Sequence, residues 1–140
     1  MTIKEIQEEI VDEFTMLEDW MDRYEYIIEL GKSLPLIKEE YKLEENLISG
    51  CQSKVWLHSE VKNDEIEFTA DSDAILTKGI VALLLRVFNG QKPEAILNSD
   101  MGFIDEIGLK EHLSPTRANG LLSMVKQLKL YALAYQVKGS

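Results

Sequence analysis

The chain has 140 residues, 45% of them hydrophobic and 29% charged, with a formal net charge of −10, the size and balance of one soluble domain, 1–140. The charge speaks against a nucleic-acid partner, because the 15 basic residues are scattered and form no patch able to offset the repulsion. A membrane span is also excluded, since the longest apolar run, Ile75 to Phe88, is broken by Lys78, Gly79 and Arg86.

Thr2-Ile3-Lys4-Glu5 reads as a capping box that opens a helix. Ile3, Ile6, Ile10, Phe14, Leu17 and Met21 follow at helical spacing. The next segment, Trp20 to Leu30, offers a partner stripe with Tyr24, Ile27, Ile28 and Leu30 inward. Gly31 fits a C-terminal stop, and Pro35 blocks continuation. Glu39 to Glu45 is a charged link. From Asn46 the period changes to two, and Leu47-Ile48 starts a short strand. Val55, Leu57 and Val61 share one face of the next strand, with Lys54, Trp56, His58 and Glu60 opposite. Asn63-Asp64 makes a tight turn into a strand in which Ile66, Phe68 and Ala70 alternate with Glu65, Glu67 and Thr69. With Asn63 and Asp64 as the loop residues, Val61 pairs with Ile66 and Leu57 with Ala70, so turn and pattern agree on the register.

The remainder reads as helical. Asp71-Ser72-Asp73 is placed to cap Ala74 to Phe88, which is apolar nearly all round and therefore buried. Asn89-Gly90 ends it, and Lys92-Pro93 opens a short helix through Leu97. Phe103 to Ile107 forms another short piece ended by Gly108. Ser114-Pro115 starts the last helix, with Ala118, Leu121, Leu122, Val125, Leu128, Ala132 and Tyr135 inward. The expected fold class is α+β, a small three-stranded antiparallel sheet covered by helices on one face.

The chemistry centres on the only cysteine, Cys51, at the joint between the first two strands. Gly50 before it permits a tight turn and leaves space beside the sulfur. On spacing alone, inert packing is the commoner fate of a free cysteine. Thiolate activation needs positive charge nearby, for which Lys54, His58, Arg117 and His112 are the candidates. One cysteine and two histidines are too few for a cluster or a structural zinc site, and nothing in their spacing favours a catalytic zinc with Asp71 or Asp73. No phosphate loop, nucleotide fingerprint or nucleophile elbow is present. One cysteine forms no internal disulfide, and Met1 to Glu5 lacks the layout of a secretory signal, so the reducing cytoplasm is the expected compartment.

Four stretches carry a family resemblance. They are Tyr24 to Lys32 followed by Leu34-Pro35, then Gly50-Cys51-Gln52-Ser53-Lys54-Val55-Trp56, then Ala70 to Ala74 with Lys78-Gly79, and finally Leu113 to Gly120. In this order and spacing they resemble the SufE family of sulfur-acceptor proteins, which includes CsdE, over nearly the whole chain. The resemblance implies a SufE/IscU-like fold and a persulfide carried on Cys51. It implies a pyridoxal-phosphate-dependent cysteine desulfurase of the SufS or CsdA type as sulfur donor, stimulated by this chain, and the SufBCD scaffold complex as acceptor in iron–sulfur cluster assembly. It implies no cofactor or metal bound by this chain; pyridoxal phosphate belongs to the donor. The extra cysteines of IscU-type scaffolds are absent, which argues for carrying sulfur over building a cluster. Gly50, Gln52, Ser53, Arg117, Asp71 and Asp73 are the expected supports of the loop or of the partner contact. A regulatory module that activates a desulfurase by docking alone is the alternative, and an independent thiol enzyme such as a peroxidase is a third class.

Overall fold

Thr2 opens α1 (Ile3–Thr15) with the expected reciprocal cap: its Oγ1 accepts the Glu5 amide at 3.1 Å, and its own amide donates to Glu5 Oε1 at 2.8 Å. The computed structural model describes residues 1–139. The buried stripe of α1 is Ile3, Ile10 and Phe14. It ends there, because the helix stops at Thr15 and Asp19 caps a second one, α2 (Trp20–Gly31), by accepting the Met21 amide. Met21 therefore sits in α2, 63% exposed, and not at the end of the α1 stripe. Ile27 of α2 is buried as expected, whereas Ile28 turns to the surface.

Gly31 does not act as a left-handed stop. It is the last helical residue, and Lys32 beyond it stays right-handed. Its use lies in packing. A Cβ at Gly31 would stand 3.1 Å from the Gly79 nitrogen, and one at Gly79 would stand 2.1 Å from the Ile27 oxygen. The two glycines let α2 cross α3 (Ile75–Phe88) backbone to backbone. The all-round apolar character of α3 has the expected result: from Thr77 to Phe88 only Lys78 and Arg86 are not buried. Arg86 reaches Glu9 and Glu13 of α1, at 2.6 Å each, and ties the two helices together.

The hairpin of β1 (Val55–Lys62) and β2 (Glu65–Ser72) has the expected register, Val61 opposite Ile66 and Leu57 opposite Ala70. Asn63 and Asp64 both adopt positive φ, 54° and 65°, as a two-residue hairpin loop of the tightest kind requires. The sheet has two strands, not three. Leu47 makes a single antiparallel bridge to Trp56, and the Ile48 amide donates to Val55 O at 2.9 Å, before the chain turns away at Ser49-Gly50. Val61, expected to be buried, is 44% exposed near the hairpin tip.

Both outer edges of this ribbon are occupied. Along β2, Ile66 exchanges bonds with Gly90 and Gln91, Ala70 does so with Pro35 and Ile37, and between them the Asn89 side chain pairs with the Phe68 backbone. Along β1, the carbonyls of Val55, Leu57 and Ser59 accept from the Ile48 amide and the hydroxyls of Tyr131 and Tyr135.

Asp71-Ser72-Asp73 does not cap α3. β2 runs through Ser72, the residue at the cap position is Ala74, and no side chain there bonds to the first turn. Beyond α3 come α4 (Pro93–Leu97), α5 (Phe103–Glu106) and an unforeseen single turn, α6 (Leu109–His112). The long α7 (Pro115–Gly139) packs against α4 and α3 and buries Leu121, Met124, Leu128 and Ala132. Leu122, expected inward, is on its outer face. No helix among the described residues is long and apolar enough to cross a membrane.

Candidate functional site

The loop Ser49 to Lys54 lies across the start of α7 and beside the first turns of α3. Gly50 has φ +89°, a conformation that L side chains rarely adopt, and a Cβ there would meet Ser123 Oγ of α7 at 2.4 Å. The backbone at Gly50 is therefore keyed against α7. Cys51 follows it, half-buried, with its Sγ 3.6 Å from the carbonyl oxygen of Gly120, to which the S–H donates. Thr77 and Ile80 of α3 and Thr116, Arg117 and Met124 of α7 complete the small pocket around the sulfur. Its free volume is about 10 Å³, roughly what one water needs.

The electrostatics of this seat are simple. Burial pushes the Cys51 thiol up from its ordinary value, and no charged group offsets it. Of the four cations considered for activation, only Arg117 lines the pocket, and it is exposed. His58 stacks on Tyr41 at 3.9 Å between centroids, and His112 stacks on Trp20 at 3.8 Å. Neither touches the sulfur pocket. The Lys54 side chain is exposed while its backbone holds the loop.

That backbone hold comes from Asp73. Its Oδ1 accepts the Lys54 amide at 3.0 Å, and its own amide donates to Lys54 O at 3.3 Å. Asp71, one alternation back on β2, is occupied elsewhere: Oδ2 lies 2.7 Å from Lys42 Nζ and Oδ1 3.4 Å from Lys78 Nζ. Burial alone would raise the Asp71 carboxyl, but Lys42, the Ser72 amide and Lys78 outweigh it and hold it below the ordinary range. Gln52 is exposed at the loop tip, and Ser53 is half-buried in the pocket wall. Arg117 takes part in none of the salt bridges among the described residues.

The structure thus gathers Gly50, Gln52, Ser53 and Arg117 around Cys51, ties Asp73 to the far end of the loop at Lys54, and leaves Asp71 in a neighbouring ion cluster. Gly120, Ser123, Thr77, Ile80 and Met124 also belong to the site, and sequence reasoning did not single them out. Gly120 left two readable traces: it closes the Leu113 to Gly120 stretch of the family resemblance, and it is a glycine inside an otherwise good helix-forming run, where it weakens the helix unless packing requires it.

Comparison with known proteins identifies the family. A SufE family profile, described as an Fe–S metabolism associated domain, matches residues 8–132. An uncharacterized SufE-like protein of Rhizobium meliloti (strain 1021) is 42% identical over 127 residues, covering 87% of this chain and 91% of the relative. One from Synechocystis is 37% identical over 128 residues, covering 91% and 80%. SufE-like protein 1, chloroplastic/mitochondrial, of Arabidopsis thaliana is 37% identical over 133 residues, which are 94% of this chain and 36% of that longer protein. The solution structure of a hypothetical protein from Thermus thermophilus superposes with a TM-score of 0.79, covering 94% of this chain and 96% of the other at 22% identity, a likeness of fold alone. The chain belongs to the SufE family of Fe–S metabolism associated domains.

Proposed function

We propose that this chain is a sulfur carrier. It takes sulfane sulfur onto Cys51 as a persulfide from a pyridoxal-phosphate-dependent cysteine desulfurase of the SufS or CsdA type. By unloading that enzyme it stimulates it, and it delivers the sulfur to the SufBCD scaffold for iron–sulfur cluster assembly. Family membership supports the role in Fe–S metabolism. The observation that carries the finer reading is the seat of Cys51: a single thiol on a loop that turns at Gly50 with positive φ, laid into a pocket of about 10 Å³. Small-molecule sites span roughly 300–1,000 Å³, so this pocket suits one atom handed over by another protein better than a free metabolite.

The transfer balances as a thiol exchange. The loop swings out, and Cys51 loses its proton once it leaves the apolar seat. The thiolate attacks the outer sulfur of the donor's cysteine persulfide, and the donor's inner sulfur leaves as thiolate. Cys51 now carries both the new S–S bond and the outer sulfur. In this reading Gly50 is the hinge and Asp73 fixes the far end of the loop at Lys54. Gln52, Ser53 and Arg117 line the approach to the partner, and Asp71 anchors the strand end beneath them through Lys42 and Lys78.

Intact-mass analysis after mixing the chain with a cysteine desulfurase and cysteine is the test. A gain of one sulfur atom on Cys51, removed by dithiothreitol, is expected. Stimulation of the desulfurase that survives Cys51→Ser would replace the carrier reading with that of a module acting by docking alone.

A further inference from the structure

The seat of Cys51 is built on a missing side chain. Gly120 is the sixth residue of α7, buried, in a helix interior where nothing about the backbone asks for glycine. A Cβ placed on it would meet Cys51 Sγ at 3.6 Å, Cα at 3.7 Å and Cβ at 3.9 Å. These are ordinary van der Waals separations, so the unloaded thiol would tolerate alanine at this position without moving. The thiol state therefore does not explain the glycine.

The loaded state does. A second sulfur on Cys51 sits about 2.05 Å from Sγ, somewhere on a sphere of that radius. With a methyl carbon 3.6 Å from Sγ, every direction within about 70° of it brings the outer sulfur closer than about 3.5 Å, inside normal contact distance. Roughly a third of the sphere lies in that cone, on the side where α7 shields the loop, and the Gly120 carbonyl oxygen 3.6 Å from Sγ already closes part of it. The inner part of the remaining wall, Ile80, Thr77 and Met124, is buried and cannot give way cheaply, while Gln52, Ser53, Thr116 and Arg117 form its outer, more exposed side. We propose that Gly120 is a positioning residue for the persulfide: its bare Cα makes room for the outer sulfur beside α7, so that loaded Cys51 can occupy the same seat as the free thiol. Ser123, filling the place a Gly50 side chain would take, keeps the loop in the register that lays the sulfur over Gly120. This rests on reading Cys51 as a sulfur carrier.

The test uses the whole chain and loads it chemically, so that it does not depend on any desulfurase. Cys51 is converted to a mixed disulfide with a small aromatic thiol. Hydrosulfide then displaces that thiol, leaving the persulfide on Cys51 and the aromatic thiolate in solution. The wild-type chain and Gly120→Ala are compared for thermal midpoint, alkylation of the free thiol, and persulfide decay in dithiothreitol. Alanine is the better helix former, so the midpoint should rise by about 3 °C. Thiol alkylation should stay within about twofold of wild type. The persulfide should decay about fivefold faster or more, as expected when one methyl is forced into a filled seat. Adding Ile80→Val, which removes a methyl from the facing wall, should return part of the lifetime. A lowered midpoint in Gly120→Ala would overturn the proposal by showing that the thiol state itself needs the glycine. Equal persulfide lifetimes would overturn it by showing that the outer sulfur never uses that space. If desulfurases fail to load the wild-type chain while the chemically loaded pair still differs, the carrier reading fails and the seat's capacity stands.

Discussion

Replacing Asp73 with alanine removes one acceptor from the base of the Cys51 loop. The carboxylate holds the Lys54 amide at 3.0 Å, while the backbone bond from the Asp73 amide to Lys54 O remains available. A hydrogen bond to a charged group is worth about 1.5–3 kcal/mol when shielded. Asp73 is exposed, and exposed charge interactions keep only a fraction of that, so about 1 kcal/mol is the reasonable figure. If closing of the loop carries the whole loss, the open population rises about fivefold. Alkylation of Cys51 under conditions where opening is faster than labelling reads that population directly. The rate should rise about fivefold in Asp73→Ala, and clearly less in Asp73→Asn, whose side-chain carbonyl still accepts. A lower thermal midpoint with an unchanged labelling rate would show that Asp73 secures the strand end and not the loop, and would refute the argument.

Three further outcomes follow from the same geometry. Burial raises the thiol, so the protonated form stabilises the closed seat; that contribution is complete below the unfolded-chain value and is lost as pH rises through the folded one. The alkylation–pH profile of the native chain should accordingly be centred above that of the urea-unfolded chain, and coincident profiles would remove burial as the cause. Gly50→Ala places a Cβ at φ +89° and 2.4 Å from Ser123 Oγ. It should cost about 1–2 kcal/mol from the backbone alone, with more from the clash, and Gly50→Ala/Ser123→Gly should recover only the steric part in a melting experiment. Association with the desulfurase, followed by stopped flow, should slow as salt rises if the −10 charge steers docking. Asp71→Asn removes one negative charge and leaves Lys42 and Lys78 without that partner, so it should slow association further; a salt-independent rate would leave the acidity to solubility.

What could be read from the residues was whatever is decided locally. The Asn63-Asp64 turn and the alternation on either side of it define the hairpin register, and the unbroken apolar character of Ile75 to Phe88 marks the central helix. Failures came where a distant residue decides. Gly31 has the look of a helix stop, but Gly79 opposite it makes it a crossing point. Asp71-Ser72-Asp73 has the composition of a cap, yet the strand extends through Ser72, and Lys54 and Lys42 claim the two carboxylates. Leu47-Ile48 has strand-like residues, but the turn at Gly50 leaves it a single bridge. For the site, Cys51 and its loop were legible because they are contiguous. The floor beneath the sulfur was not, since Gly120 lies 69 positions further along the chain.

The occupied edges of the two-stranded ribbon bear on how this protein meets others. A two-stranded sheet with open margins invites edge-to-edge association and fibril growth. Here Asn89, Gly90, Gln91, Pro35 and Ile37 close one margin, while Ile48, Tyr131 and Tyr135 close the other. A strand added along β2 would first have to displace its partners, and one added along β1 would have to displace Ile48, Tyr131 and Tyr135 from its carbonyls. A partner protein would then meet side chains and loops, which suits the proposed sulfur carrier, since repeated docking and release would be slowed by tenacious main-chain pairing.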